Sequence, residues 1–301
     1  SQLLTLYITP VYYVYIENAR LRVMRKRKQD AQDPIVTESG AMPPLAHAQP
    51  PMWRAARAAV CRSFDIREEG VLAAACGLLG LLVGSFLNVV ILRLPRRMEW
   101  QWKRDSREIL GEPDLYDPPP PGIVVERSHC PHCGHQLSWY ENIPVFSWLA
   151  LRGRCRNCRA PISIQYPLVE LLTMALVVAC VWRFGFGWQG FGACLLTCFL
   201  IALSGIDLRT QLLPDSLTLP LLWLGLIAAV ENLYVGPKTA LLGAIAGYVS
   251  LWSVWWVFKQ ITGKEGMGHG DFKLLAALGA WFGLNGILPT ILLSSLVGAI
   301  I

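Results

Sequence analysis

Three aspartates, Asp207, Asp215 and Asp271, each stand at the end of an apolar run, and four cysteines are grouped as Cys130-Pro-His-Cys133 and Cys155-Arg-Asn-Cys158. A carboxylate at the edge of a membrane-like segment is costly to place, so function is its default reading. Two carboxyl groups brought together in a poorly hydrated site cannot easily both ionise. One proton is shared, leaving one group as base and the other as acid. Such a pair can activate a water against a peptide carbonyl without a metal.

The three aspartates do not read alike. Asp215 follows Pro214 and precedes SLTLPLLWLGL, the pattern of a helix N-cap. Asp207 closes an apolar run instead of opening one, and the C-terminus of a helix is unfavourable for an anion, so capping cannot explain it. Asp271 follows Gly266, Gly268 and Gly270 and precedes FKLLAALG, where capping and catalysis both fit. The glycines tip the balance towards catalysis, because they let a second backbone or an extended substrate approach closely. As a phosphate cradle they are weak: no strand precedes them and the Walker lysine is out of register. Lys273 reads as an inner-face anchor or a local charge partner of Asp271.

The two CxxC pairs are separated by 21 residues. That spacing is the signature of a tetrahedral structural zinc site, closed by Cys130, Cys133, Cys155 and Cys158 with no open position for catalysis. A cytoplasmic location argues against the alternative of disulfides. His129, His132 and His135 beside the first pair could substitute as ligands, but read first as solvated or supporting groups. Cys76, Cys180, Cys194 and Cys198 lie in apolar runs, where a thiol behaves as a small hydrophobe.

The elements that must position these residues are membrane helices. Of 301 residues 53% are hydrophobic and 16% charged, and the mean hydropathy is +0.40, which disfavours an ordinary soluble domain. Apolar runs fall at 71–92, 167–182, 190–206, 217–229 and 239–258, with two more at 272–282 and 287–301. The net charge of +6 is better spent on topology than on nucleic acid, for which nothing else speaks. Arginines and lysines crowd the one long polar stretch, which places it inside. Span parity then puts the loops at 207–215 and 259–271 on that same face. Trp100, Trp102, Trp139 and Trp148 of the insert suit lipid headgroups, substrate or the zinc site, with packing favoured for Trp139 and Trp148.

The beginning fits poorly. LLTLYITPVYYVYI at 3–16, the basic stretch after it and a Pro/Ala/Gln-rich linker resemble the last helix and tail of resistance-nodulation-division exporters. Residues 1 to about 65, Cys61 included, are expected to be foreign to the rest, the linker disordered. The last apolar run stops at Ile301 with no flanking charge, which reads as a C-terminal truncation.

GSFLNVVILRLP (84–95), the two CxxC pairs, YPLVELLT (166–173), IDLRTQLLPD (206–215) and GMGHGDFKLLAALGAW (266–281) together resemble the type IV prepilin peptidases, in the family's order from about residue 70 to 301. The resemblance implies an all-α polytopic protein of the bacterial inner membrane, a GxGD-type intramembrane aspartic protease with a small cytoplasmic zinc-binding insert. It places catalysis on Asp207 and Asp271, and structural zinc on the four cysteines. It implies cleavage of prepilin and pseudopilin leaders after a glycine on the cytoplasmic side, then N-methylation of the new terminus with S-adenosylmethionine. No residue is expected for the methyl donor, since the glycine-rich loops of soluble methyltransferases are absent.

The organisation expected is an atypical extension (1–69), a first transmembrane helix (70–95), the zinc insert (96–165) and the transmembrane peptidase core (166–301). Two other readings stay open on the residues alone. One is a membrane scaffold whose zinc knuckles bind a partner; the other is a proton-coupled transporter with Asp207 and Asp271 as relay.

Overall fold

The computed structural model describes residues 52–112, 117–124, 126–264 and 267–300, with the backbone alone for 52–69, Leu72 and 297–300. The exporter-like run and its linker lie outside the described residues. The chain divides into two compact units. Of the first, 10–75, the described part is helical from Met52 onward. The second holds residues 76–301 and everything that follows.

The described residues are helical or irregular, with two isolated bridges in place of any strand. The helices are α1 (Met52–Leu110), α2 (Phe146–Ala150), α3 (Gln165–Phe184), α4 (Trp188–Thr210), α5 (Asp215–Val230), α6 (Pro237–Thr262), α7 (His269–Phe282) and α8 (Leu284–Ile300). Four of them are long and apolar enough to cross a membrane: α1 from Ala73, α3, α4 and α6. At 16 residues α5 is about 24 Å long, short of a hydrocarbon core of about 30 Å.

The first helix runs further than its apolar stretch. Pro95 removes one backbone hydrogen bond, yet α1 continues to Leu110. The basic residues after Pro95 mark where the helix leaves the apolar region, and Arg and Lys are good helix formers. Side chains on both sides of Pro95 hold the segment that begins at Asp117 against the helix. Arg93 donates to the carbonyls of Gly122 and Glu126 (2.5 and 3.0 Å), Arg97 to that of Pro120 and Trp100 to that of Asp117.

Between membrane helices, close packing and hydrogen bonding replace water exclusion as the main attraction, so small residues mark the seams. At Gly84 a Cβ would stand 2.8 Å from Glu170 Cα, which is how closely α1 meets α3. At Gly247 it would stand 2.6 Å from the Leu275 carbonyl oxygen, so α6 and α7 touch backbone to backbone. Leu87, Val90 and Ile91 of α1, Val169 of α3 and Ile201, Ala202 and Ile206 of α4 fill one core.

The centre of the other half is α7. Nearly every side chain from Phe272 to Phe282 is buried among α5, α6 and α8. Trp281 donates its indole N–H to the Leu221 carbonyl at 2.9 Å, tying α7 to α5. Gly268 caps this helix at its start, and Gly270 and Asp271 lie in its first turn.

Candidate active site and metal centre

Asp207 lies in the last turn of α4, which Gln211 closes in the left-handed conformation (φ 53°), donating its N–H to the Asp207 carbonyl at 2.8 Å. Three residues later Pro214 takes the N-cap position of α5. Asp271 lies in the first turn of α7, its N–H on the Gly268 carbonyl at 3.3 Å. Both aspartates are half-buried, and the two carboxyl groups are within electrostatic reach of one another. Among the described residues neither side chain has a hydrogen bond or ion pair.

Gly270 is the reason the two segments can meet. A Cβ there would fall 2.7 Å from Leu213 Cβ and 3.3 Å from the Leu213 carbonyl oxygen, so the α4–α5 turn lies directly on the start of α7. The second backbone expected at these glycines is that of Leu213. At Gly268 the nearest atom to such a Cβ is Asp271 Oδ2 at 3.9 Å. Gly266 is outside the described residues.

Two expectations need correction. Asp215 is not an N-cap: Pro214 occupies that position, and the Asp215 carboxylate accepts from Lys273 Nζ at 2.6 Å. Lys273 therefore partners Asp215 and not Asp271, because residues two apart on a helix point to opposite sides. The pair joins the two aspartate-bearing segments. With side chains 54% (Asp215) and 29% (Lys273) exposed, its Coulomb attraction is strongly screened. Asp215→Ala is expected to lower stability by no more than about 1 kcal/mol, read as a small shift of the unfolding temperature in detergent.

The four cysteines come together in the insert. Their sulfurs all lie within 4.8 Å of one another, with Cys130 to Cys158 at 3.7 Å and Cys133 to Cys155 at 4.0 Å. A tetrahedral zinc with bonds of about 2.3 Å needs sulfurs about 3.8 Å apart, so the set fits. The two knuckles repeat one design. Cys130 N–H donates to the His135 carbonyl and Cys155 N–H to the Ala160 carbonyl, both at 2.8 Å. Each turn passes through a left-handed residue, Gly134 in one and Arg159 in the other.

Backbone donors prepare the sulfurs. The N–H of His135 holds the Cys133 thiol down to about 7, and those of Cys158 and Asn157 hold Cys155 below the usual thiol range. Although the Ala160 N–H favours a thiolate at Cys158, burial and the other sulfurs push it up to about 11. A central cation is what would let all four ionise.

None of the three histidines belongs to the sulfur cluster. His129 and His132 are exposed, while His135 Nε2 lies 3.3 Å from Glu141. The Ser138 N–H, then His135 and Arg156, hold the Glu141 carboxyl below its ordinary range. Trp148 packs as expected, donating to the Ile162 carbonyl at 3.2 Å, whereas Trp139 is 78% exposed and does not pack around the four sulfurs.

The residues 78–184 match the model of the bacterial peptidase A24 N-terminal domain, and 194–301 that of the type IV leader peptidase family. A protein of Xanthomonas campestris pv. campestris named prepilin leader peptidase/N-methyltransferase is 74% identical over 76% of this chain and 79% of its own. The chain belongs to the type IV leader peptidase family. Relatives of the same name in Pseudomonas aeruginosa and Burkholderia pseudomallei are 58% and 46% identical, over 74% and 81% of this chain and 77% and 80% of theirs. No solved structure matches the chain at a significant level. Membership in this family and the four long apolar helices make it a multi-pass membrane protein.

Sequence reasoning passed over one carboxylate of this leader peptidase. Glu170, within YPLVELLT, is buried in α3 and accepts the Val145 N–H at 2.7 Å, fastening the insert to the membrane core. A glutamate in the middle of an apolar run was the available signal.

Proposed function

We propose that this protein removes the leaders of type IV prepilins and type II secretion pseudopilins with Asp207 and Asp271, and then methylates the new N-terminus. The observation that supports the chemistry most is the close approach of the Leu213 turn to Gly270, which brings the segments of two half-buried carboxyl groups together, neither with a hydrogen bond or ion pair among the described residues. One carboxylate takes a proton from water, and the hydroxyl adds to the scissile carbonyl carbon. The protonated carboxyl then gives its proton to the departing nitrogen, and the carbon–nitrogen bond breaks. The products are the leader's carboxylate and a free N-terminal amine. The two groups titrate as a dyad, so acid and base are roles of the pair and not of one residue.

The four cysteines are the set that would hold structural zinc, which supplies cohesion to the insert and no step in cleavage. For the methyl donor, S-adenosylmethionine, the described residues offer no comparable donor set or nucleotide cradle, and no step is derived through it. The arginines and lysines of the insert support a reading in which the insert and the aspartate loops face the cytoplasm, by the positive-inside rule.

Incubating the protein in membranes with a prepilin carrying a glycine-phenylalanine junction and S-adenosylmethionine tests this reading. The expected product begins with phenylalanine and is one methyl group heavier than the cut peptide. An intact prepilin after full incubation would contradict it. Cys130→Ser is expected to release the zinc and to reduce methylation more than cleavage, because the sulfurs lie in the insert and the aspartates in the core. Instant loss of cleavage on chelation, with the fold intact, would point to a metallopeptidase instead.

A further inference from the structure

The segment between the two zinc knuckles shows its apolar side chains outward. Trp139, Ile143, Phe146 and Leu149 are 78%, 39%, 62% and 59% exposed, and none of the residues of α2 is buried. Large apolar side chains exposed close together in one short segment are the kind of surface that a partner or a membrane covers. Its height is fixed by Glu170. The Val145 N–H, between Ile143 and Phe146, is bonded to a carboxylate in the second turn of α3, a membrane-crossing helix. The stripe therefore sits level with the end of that span. The exposed apolar residues Ile164 and Leu168 of the α3 start are at the same end.

The charge around the stripe names the partner's sign. From 127 to 165 the chain carries five arginines (Arg127, Arg152, Arg154, Arg156 and Arg159) against one acid, Glu141, which is buried. Arg152, Arg154 and Arg159 are exposed, while Arg156 lies over the Tyr140 ring. Exposed aromatic and aliphatic groups beside unpaired arginines, at the end of a membrane span, suit the headgroup region of an anionic leaflet.

We propose that residues 139–151 form an interfacial anchor. Trp139, Ile143, Phe146 and Leu149 enter the boundary between acyl chains and headgroups, and Arg152 and Arg154 meet the phosphates of anionic phospholipid. The anchor and the Glu170 bond together hold the zinc insert flat against the membrane.

The test uses the full chain with a photoreactive benzoylphenylalanine placed singly at Phe146, Leu149 or, as control, the exposed Gln136. Each protein is reconstituted in vesicles of phosphatidylethanolamine and phosphatidylglycerol, and its zinc content is checked against the unmodified chain. On illumination, lipid adducts at 146 and 149 are expected at several times the yield at 136. Replacing phosphatidylglycerol by phosphatidylcholine is expected to lower that yield several-fold. Adducts at 146 and 149 no more frequent than at 136 would overturn the anchor. An equal yield from neutral vesicles would overturn its anionic partner. Adducts that move from lipid to an added prepilin would assign the stripe to substrate docking and overturn the proposal.

Discussion

Replacing Asp207 or Asp271 by asparagine is expected to abolish leader cleavage while leaving the folded, zinc-loaded protein in the membrane. Asparagine keeps the shape of the side chain but can neither take a proton from water nor return one to the leaving nitrogen. Loss of a positioned acid or base typically costs about 10²–10⁴-fold in rate, and members of a unit that acts together show losses that do not add. Each single variant should therefore be nearly as inactive as the double variant. The fold should tolerate the change, because neither carboxylate has a hydrogen bond or ion pair to lose among the described residues. Cleavage rates set beside zinc content and unfolding temperature check this.

Gly270→Ala is expected to be almost as damaging without touching a carboxylate. Its new Cβ would lie 2.7 Å from Leu213 Cβ, an atom fixed to the backbone that no rotamer change can move. Overpacking of this kind costs about 1–3 kcal/mol, and displacement of a reacting group by about 1 Å can cost on the order of 10²-fold in rate. The loss should fall on kcat, since the turn that follows Asp207 is what shifts. Leu213→Gly in the same chain removes the opposing Cβ and should restore much of the activity. Gly268→Ala, whose Cβ would meet only Asp271 Oδ2 at 3.9 Å, should stay within several-fold of the unaltered protein. Equal losses at 268 and 270 would show that close approach at Gly270 is not the cause.

Much of this arrangement was legible in the residues. The CxxC pairs carry their geometry in their spacing, since two knuckles of one design suffice to bring four sulfurs together. The apolar runs gave the helices, because a span's length and composition are local properties. What local patterns could not supply was contact between segments far apart in the chain. The Pro214-Asp215 pair looks like a cap until Lys273, 58 positions away, takes the carboxylate. Glu170 drew no reading within its apolar run, and only the fold shows the Val145 N–H that meets it. Trp139 read as a packing residue because aromatics beside zinc knuckles often are, but its burial depends on which side of the insert faces outward. The length of α1 was underestimated for a different reason: Pro95 and the charges after it mark the end of an apolar stretch, not the end of a helix.

The most direct test of the aspartyl pair is N-terminal sequencing of a prepilin with a glycine-phenylalanine junction after exposure to membranes holding the unaltered protein, Asp207→Asn or Asp271→Asn. The prediction is a new N-terminal phenylalanine with the unaltered protein and the uncut leader with both variants, all three carrying zinc at equal expression. A new N-terminal phenylalanine from either variant at the unaltered rate would contradict the account and place the chemistry on other residues.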